Sequence, residues 1–321
     1  MSTKPLRILF MGTPDFAAAI LKGLLEGPDE VIAVVTQPDR AKGRGKKLTP
    51  PPVKILAEEA EIPVLQPEKI RTREFYNGLC SYHPDLIVVA AYGRILPVEI
   101  LKLPPMGCIN VHGSLLPKYR GAAPIQWAVI NGEKEVGITI IQMDEGMDTG
   151  DMLLKSTLVP AADETAGSLF DKLAELGSTT LLRAVEGLKE GSIIPVEQDH
   201  EQATHAPMLK KNDGLINWDM PAEKLESFIR GMDPWPGAFC FHEGKRLRIF
   251  SPEIVHQDAI EAVGTVISAD KRGMVVACGK NRLRIKEIQP EGKKRMTVEA
   301  FLCGSQLPAG TDLNQPEPPQ E

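Results

Sequence analysis

Three side chains that can do chemistry lie within five residues of one another. They are Asn110, His112 and Ser114 in the stretch NVHGSLLPKYRGAAP (110–124). An amide can donate a hydrogen bond to an oxyanion, an imidazole can transfer a proton, and a hydroxyl can attack a carbonyl carbon. On a β-strand, Asn110 and His112 would point to the same face because they are two residues apart. The pair fits a site of acyl chemistry, although it also fits a turn cap.

A carboxylate near His112 would favour the acyl-transfer interpretation. Asp148 lies in the acidic, glycine-containing loop DEGMDTG (144–150), where a structural need for a carboxylate is low. A carboxylate that reaches an imidazole fixes its tautomer and stabilises its charged form. We therefore expect Asn110, His112 and Asp148 to form a catalytic set for acyl transfer to an amine. Other carboxylates compete with Asp148 for this role, namely Asp144, Glu145 and Asp151.

Ser114 is not expected to be a nucleophile. The sequence has no G-x-S-x-G elbow, and a serine and a histidine two residues apart on one segment rarely meet productively. We predict that the Ser114 hydroxyl holds a ligand or the loop itself. The residues that follow, Leu115, Leu116 and Pro117, would then form a stiff apolar wall of that loop.

The first 190 residues predict a scaffold that brings strand ends together. Apolar β-type runs at 6–11, 31–36, 85–91 and 106–112 alternate with helical patterns at 14–26, 52–60, 71–80 and 122–131, and a longer one follows at 165–189. This alternation predicts an α/β fold with a doubly wound, mostly parallel, Rossmann-like sheet. A further strand pair, 136–143 and 151–159, flanks the acidic loop. Because Gly12 is not part of a G-x-G-x-x-G motif, NAD is not predicted.

The pattern changes after a polar stretch at 191–206, which we interpret as a linker. Residues 207–303 contain a helical pattern at 221–231 and then short β-type runs separated by turn residues, which predict a small OB-like β-barrel. Residues 304–321 end in a polar, proline-rich segment and are predicted to be disordered. The sequence therefore predicts a catalytic domain over 1–190 and a second, smaller domain.

Composition limits the class of protein. The chain has 321 residues, of which 42% are hydrophobic and 25% charged, as is typical of soluble globular proteins. Its five cysteines are scattered, so neither a disulfide framework nor a zinc site is expected. No apolar run approaches the roughly 18 residues of a membrane span. We expect a cytoplasmic monomer that uses no metal.

A cationic loop follows the second predicted strand. The segment PDRAKGRGKKL (38–48) contains one acid, Asp39, and five cations: Arg40, Lys42, Arg44, Lys46 and Lys47. Such a run is usually solvated surface, but this one follows a strand at the sheet edge where the candidate site lies. A flexible cationic loop beside an active centre suits contact with a phosphate backbone. Residues 271–295 add nine cations against two acids. The two regions together predict nucleic-acid contact.

The motifs resemble those of a known enzyme family. NVHGSLLPKYRGAAPIQWA (110–128) and GITIIQMDEGMDTGD (137–151) resemble the formyltransferases that use 10-formyltetrahydrofolate. GTPDFA, QPDRAKGRGKKL, KKNDGLINW and IRGMDPWPGAF extend the resemblance over residues 6 to about 302. The basic loop and the C-terminal domain point to the branch of the family that formylates methionyl-tRNA.

The resemblance implies a reaction and a set of residues. The reaction is formyl transfer from 10-formyltetrahydrofolate to the free amino group of methionyl-initiator tRNA, which gives N-formylmethionyl-tRNA for translation initiation. Asn110, His112 and Asp148 would be catalytic, Ser114–Pro117 would line the folate site, and the loop 92–96 would help to hold the pterin. The OB-like domain would bind tRNA. The acceptor stem would be contacted by Arg40, Lys42, Arg44, Lys46 and Lys47.

Three alternatives stay open at this point. Two share the chemistry: a formyltransferase acting on a nucleotide aminosugar, and the formyl-hydrolysing domain of a folate dehydrogenase. Neither is expected to need the GRGKK loop. The third is a non-catalytic RNA-binding protein on the same scaffold, which the intact Asn-His-Asp set disfavours.

Overall fold

The structure, a computed structural model, describes residues 4–42 and 47–314 and divides into two compact units. Residues 125–134 and 160–169 join residues from 208 onward in the second unit, and the other residues before 208 form the first. The segment 191–206, which we predicted to be a linker, is therefore part of the first unit. No helix in the described ranges is long and apolar enough to cross a membrane.

The first unit is built on a seven-stranded sheet. The described strands of this unit are β1 (Arg7–Gly12), β2 (Glu30–Val35), β3 (Arg40–Lys42), β4 (Lys47–Thr49), β5 (Val64–Leu65), β6 (Leu86–Ala90), β7 (Cys108–His112), β8 (Arg120–Gly121), β9 (Val136–Gln142), β10 (Met152–Leu158) and β11 (His205–Ala206). The sheet order is β10-β9-β7-β6-β1-β2-β5. Strands β7, β6, β1, β2 and β5 are parallel, whereas β9 and β10 are antiparallel. The prediction of a mostly parallel sheet is confirmed.

Helices cover this sheet, and its central strands are buried accordingly. The helices of the first unit are α1 (Asp15–Leu25), α2 (Pro52–Glu59), α3 (Arg73–Ser81), α4 (Val98–Leu101) and most of α6 (Ala166–Glu190), whereas α5 (Pro124–Ile130) belongs to the second unit from residue 125 onward. All residues of β6 are buried, as expected for a strand with helices on both faces. Helices α1 and α6 approach closely at Gly23, where an added Cβ would lie 1.6 Å from the Ser178 Oγ. The four-residue helix α4 was not predicted.

The parallel strands bring the predicted site and the basic loop to one edge of the sheet. β7 ends at His112, and β2 leads into the segment 38–48 at the same edge. Part of this segment is not the mobile loop that we predicted, because β3 and β4 pair as an antiparallel hairpin. Of the predicted cations, Arg44 and Lys46 lie outside the described residues.

The second unit contains an antiparallel sheet. Its described strands are β12 (Phe239–His242), β13 (Lys245–Val255), β14 (Val266–Asp270), β15 (Gly273–Ala277), β16 (Arg282–Pro290) and β17 (Met296–Thr297), and its further helices are α7 (Ala222–Met232) and α8 (Val298–Leu302). The sheet order is β12-β13-β16-β15-β14, with β17 beside β16. Helix α7 contacts β13 and β16. The prediction of a small C-terminal β domain is confirmed.

The tail that we predicted to be disordered from residue 304 needs a correction. Residues 304–314 pack on the second unit, where Leu307 and Leu313 are 4% and 1% exposed. Asp312 also pairs with Thr265 in an isolated β-bridge. The two leucines bury apolar surface and so hold this part of the tail on the unit. The polar and proline-rich composition of the tail did not indicate this packing. Residues 315–321 lie outside the described ranges.

A buried ion pair ties the end of α6 to the start of β2. The Lys189 Nζ lies 2.7 Å from the Asp29 Oδ1, and these side chains are 9% and 4% exposed. The same oxygen accepts the Leu6 N–H at 2.8 Å. Replacing one partner would leave the other charge buried and unpaired, which is far more costly than the loss of an exposed pair.

We therefore predict that Lys189→Met lowers the free energy of unfolding by about 3 kcal/mol in urea denaturation. The control is Glu30→Gln, which breaks the exposed Arg7–Glu30 pair at 3.4 Å. It should cost less than about 1 kcal/mol. Equal losses in the two variants would contradict the prediction.

Candidate active site

The three residues predicted to be catalytic come together in the first unit. β7 carries Asn110 and His112 on one face, because side chains alternate along a strand. The Asn110 Nδ2 lies 3.4 Å from the Asp148 Oδ1. The His112 Nδ1 lies 3.6 Å from the same oxygen, and the histidine is 5% exposed. One carboxylate oxygen therefore faces both the amide and the imidazole.

The loop that carries Asp148 reaches this position only by folding back. β9 runs antiparallel to β7, so that Thr139 lies opposite His112 and Gln142 opposite Ile109. The chain therefore leaves β9 near the start of β7, away from His112. It returns through a turn in which Asp148 has a φ of 55°, in the left-handed region that non-glycine residues seldom occupy.

Asp148 is oriented by the main chain. Its Oδ2 accepts the Gly121 N–H at 2.8 Å, which leaves the Oδ1 for Asn110 and His112. Gly121 has a φ of 121°, and an added Cβ would lie 2.8 Å from the Ala206 carbonyl oxygen. The position thus requires glycine, because β11 passes so close to β8.

The geometry distinguishes Asp148 from the carboxylates that competed with it. The Asp144 Oδ1 accepts the Gly146 N–H at 3.0 Å and the Thr149 hydroxyl at 2.6 Å, so this side chain shapes the loop. Glu145 and Asp151 are exposed. Of these four acidic side chains, Asp148 is the one that contacts Asn110 and His112.

A backbone carbonyl determines the tautomer of His112. The Nε2 lies 2.9 Å from the Tyr119 carbonyl oxygen, which can only accept a hydrogen bond, so the Nε2 carries a proton. The Nδ1 is then the nitrogen that faces Asp148. At 3.6 Å this contact is longer than a hydrogen bond, and forming one requires a proton on either the Nδ1 or the Asp148 carboxyl group. The Tyr119 carbonyl orients the ring, in the role that we had expected of Asp148.

The segment 114–117 is held in one conformation by hydrogen bonds. The Ser114 hydroxyl donates to the Lys118 carbonyl at 2.7 Å and so closes the loop on itself. The buried Thr139 hydroxyl donates to the Ser114 carbonyl at 2.7 Å and accepts the Leu116 N–H at 3.1 Å. Lys155 donates to the Leu116 carbonyl, and burial lowers the pKa of this lysine. Ser114 thus stabilises the loop.

The loop 92–96 is tied to the chain that follows β2. The buried Gln37 donates to the Tyr92 carbonyl at 3.1 Å, and its own Oε1 accepts two N–H groups of Arg94 at 3.2 and 3.1 Å. Burial raises the pKa of the Tyr92 hydroxyl. The loop 92–96 and the base of the basic loop therefore share one hydrogen-bond network.

Two residues that position the site were not predicted from the sequence. Thr139 is a hydroxyl residue in the apolar strand VGITIIQ, and a polar side chain in such a run is a usable signal. Gln198 donates to the carbonyls of Asp148 and Gly150, but it lies in a polar segment where nothing distinguishes it. Among the residues that the structure describes, no group of His, Cys, Asp and Glu side chains could hold a metal ion.

Comparison with known proteins agrees with this architecture. The family described as "Formyl transferase" matches residues 6–185, and "Formyl transferase, C-terminal domain" matches residues 208–306. A solved sugar 3N-formyl transferase, WlaRD, in the presence of dTDP and 5-N-formyl-THF, has a TM-score of 0.66 at 16% identity and covers 91% of this chain and 100% of its own. At this identity the likeness shows the fold.

Relatives of known name are much closer in sequence. The methionyl-tRNA formyltransferase of Desulfotalea psychrophila is 68% identical over 310 residues, which cover 97% of this chain and 96% of the relative. The enzyme of the same name from Caldanaerobacter subterraneus subsp. tengcongensis is 52% identical, and the match covers 96% of this chain and 100% of the relative. The chain belongs to the formyl transferase family.

Proposed function

We propose that the protein transfers the formyl group of 10-formyltetrahydrofolate to the amino group of methionyl-initiator tRNA and thereby supplies N-formylmethionyl-tRNA for translation initiation. The observation that carries this proposal is the convergence of Asn110 and His112 on one oxygen of Asp148, in a chain 68% identical to a methionyl-tRNA formyltransferase. The presence of a second folded unit and of the basic segment 38–48 supports the choice of tRNA as the acceptor.

The proposed catalytic residues suit the proton and charge movements of formyl transfer. The amine nitrogen attacks the formyl carbon, the carbonyl electrons move to the oxygen, and the bond to the folate N10 then breaks. The attacking nitrogen loses a proton and the N10 gains one. The Asn110 amide is the donor for the developing oxyanion. The His112 Nδ1 and the Asp148 Oδ1, 3.6 Å apart, are the pair that exchanges the proton.

The folate is proposed to lie against the segment Ser114–Pro117, with the loop 92–96 beside the pterin. The segment follows β7 directly and is stiffened by the bonds of Thr139 to its backbone. A stiff wall lowers the entropy cost of binding, because little of the protein must be ordered when the ligand enters.

The tRNA is proposed to contact the basic segment and the second unit. Asp39, the acid of the basic segment, pairs with Lys54 at 3.0 Å and accepts a hydrogen bond from Gln66 at 2.7 Å. The Gln66 hydrogen bond and Lys54 lower the pKa of Asp39. Because Lys54 neutralises this acid, the segment keeps the charge of its five proposed contacts: Arg40, Lys42, Arg44, Lys46 and Lys47.

The second unit offers fewer free cations than its sequence indicates. Within 271–295, Arg284 and Lys286 pair with Glu253, and Arg295 pairs with Asp233 and Glu287. In the described part of the chain, the exposed cations of this run that form no ion pair are Lys271, Lys280, Lys293 and Lys294. We propose that these lysines carry the contact of this unit with the tRNA backbone.

Asp148→Asn should lower the kcat of formyl transfer by at least about 100-fold and leave the melting temperature nearly unchanged, because the amide cannot accept the proton. The assay measures formylmethionyl-tRNA made from 10-formyltetrahydrofolate and methionyl-initiator tRNA. The matched control, Glu145→Gln, changes an exposed carboxylate of the same loop and should retain full activity.

The same assay with a second acceptor tests the substrate. A nucleotide-linked aminosugar should not be formylated. Efficient formylation of the sugar, or salt-sensitive binding of tRNA without turnover, would contradict the proposed function. Near-wild-type turnover by Asp148→Asn would contradict the catalytic set alone.

Thr139→Val tests the folate wall. The substitution keeps the shape of the side chain but leaves the Ser114 carbonyl and the Leu116 N–H without the hydroxyl. We expect a loss of about 2 kcal/mol in the free energy of unfolding and a raised KM for the formyl donor at an unchanged KM for tRNA. Thr179→Val, on the exposed face of α6, is the control. A selective rise in the KM for tRNA would argue against the proposed wall.

Arg40→Ala combined with Lys42→Ala tests the basic segment. Each lost phosphate contact should reduce the slope of log KM for tRNA against log salt by roughly one. The KM for tRNA should rise at low salt, and kcat should change little. The control is Lys102→Ala, which removes an exposed charge at the end of α4. An unchanged salt slope would rule out these two contacts.

A further inference from the structure

One buried side chain stands out in the segment 191–206. The residues on either side of Gln198, 194–197 and 199–202, are all exposed, whereas Gln198 is 2% exposed. Hydrophobic residues of this segment, Ile194 and Val196, are 82% and 55% exposed. Gln198 is thus more buried than these two apolar residues, so the burial of apolar surface does not explain its position.

The amide of Gln198 is bonded at each of its ends. Its Nε2 donates to the Asp148 carbonyl at 2.8 Å and to the Gly150 carbonyl at 2.7 Å. Its Oε1 accepts the Arg120 Nε at 3.1 Å and Nη2 at 2.7 Å. The orientation of the amide is determined by these partners, because carbonyls only accept and a guanidinium only donates.

Arg120 is itself held in place. It is 6% exposed, and its Nη2 also donates to the His200 Nδ1 at 3.0 Å. Over residues 4–42 and 47–314, no carboxylate forms an ion pair with this guanidinium. A buried cation with neutral partners is costly unless those partners are well placed. The burial of Arg120 therefore depends on the positions of Gln198 and His200.

We propose that Gln198 is a positioning residue for Asp148, an inference that rests on the proposed catalytic set. Asp148 has a φ of 55°, so its backbone is not held by a regular element. Gln198 binds the carbonyl of this residue and the one two positions later, and Gly121 binds its carboxylate. Together they determine where the Oδ1 points relative to Asn110 and His112.

Gln198 is not needed to attach its own segment to the first unit. Val196 exchanges two backbone hydrogen bonds with Met152, at 2.8 and 2.9 Å, and β11 pairs with β8. These backbone bonds do not involve the Gln198 side chain. The side chain itself binds the loop 148–150 and Arg120.

The test compares Gln198→Glu with wild type in the formylation assay. The carboxylate keeps the size of the side chain and the bonds to Arg120, but it cannot donate to the two carbonyls. We expect kcat to fall about 10- to 100-fold, since a catalytic group displaced by about 1 Å can cost that much. The KM values should stay within about twofold of wild type. Glu197→Gln, at an exposed glutamate of the same segment, should behave as wild type.

A double-mutant cycle separates positioning from general stability. If Gln198 acts through Asp148, then Gln198→Met alone should lower the single-turnover rate relative to wild type. Added to Asp148→Asn, the same substitution should change the rate less than about twofold. Independent losses, an unaffected kcat in the Gln198 variants, or unfolding of both Gln198→Glu and Gln198→Met would overturn the proposal. Full turnover by Asp148→Asn would instead remove the catalytic set on which the proposal rests.

Discussion

The hydrogen bond from the Gly121 amide to the Asp148 carboxylate joins the two segments from which the candidate site is made. One segment is residues 114–121, which follow β7. The other leaves β9 near the start of β7 and must turn back to reach His112. The Gly121 donor holds one oxygen of the carboxylate, and Gln198 holds the backbone of the loop that carries it. The pairing of β8 with β11 places that donor, so a stretch distant in sequence supports the candidate site.

The arrangement assigns separate tasks to the two partners of His112. The Tyr119 carbonyl holds the Nε2 at 2.9 Å, and Asp148 faces the Nδ1 at 3.6 Å. A histidine held by a neutral carbonyl keeps its orientation in both protonation states, because the Nε2 proton is present in each. In the proposed mechanism, the carboxylate and the Nδ1 can therefore exchange a proton without movement of the ring.

Local sequence patterns predicted much of the fold and part of the candidate site. The apolar strands and the amphipathic helices follow from periodicity, and the position of Asn110 and His112 on one face follows from strand geometry. The choice of Asp148 over Asp144 depends on how the loop folds back, which no local pattern encodes. Gln198 was missed because its burial results from contacts with Arg120 and the loop 148–150, and the residues around it read as a linker. The ordered part of the tail was missed because its packing depends on only two buried leucines, Leu307 and Leu313.

The contacts that shape the site come largely from the main chain: the carbonyls of Tyr119, Asp148 and Gly150 and the amide of Gly121. A substitution at Tyr119, Asp148 or Gly150 leaves the carbonyl in place, so these backbone contacts depend on the backbone conformation that the new residue adopts. Tyr119, Gly121 and Asp148 all have positive φ values, of 63°, 121° and 55°. A substitution at Tyr119 or Gly121 is therefore restricted by the dihedral angles that the new residue tolerates, and one at Asp148 is restricted by these angles and by the loss of the carboxylate.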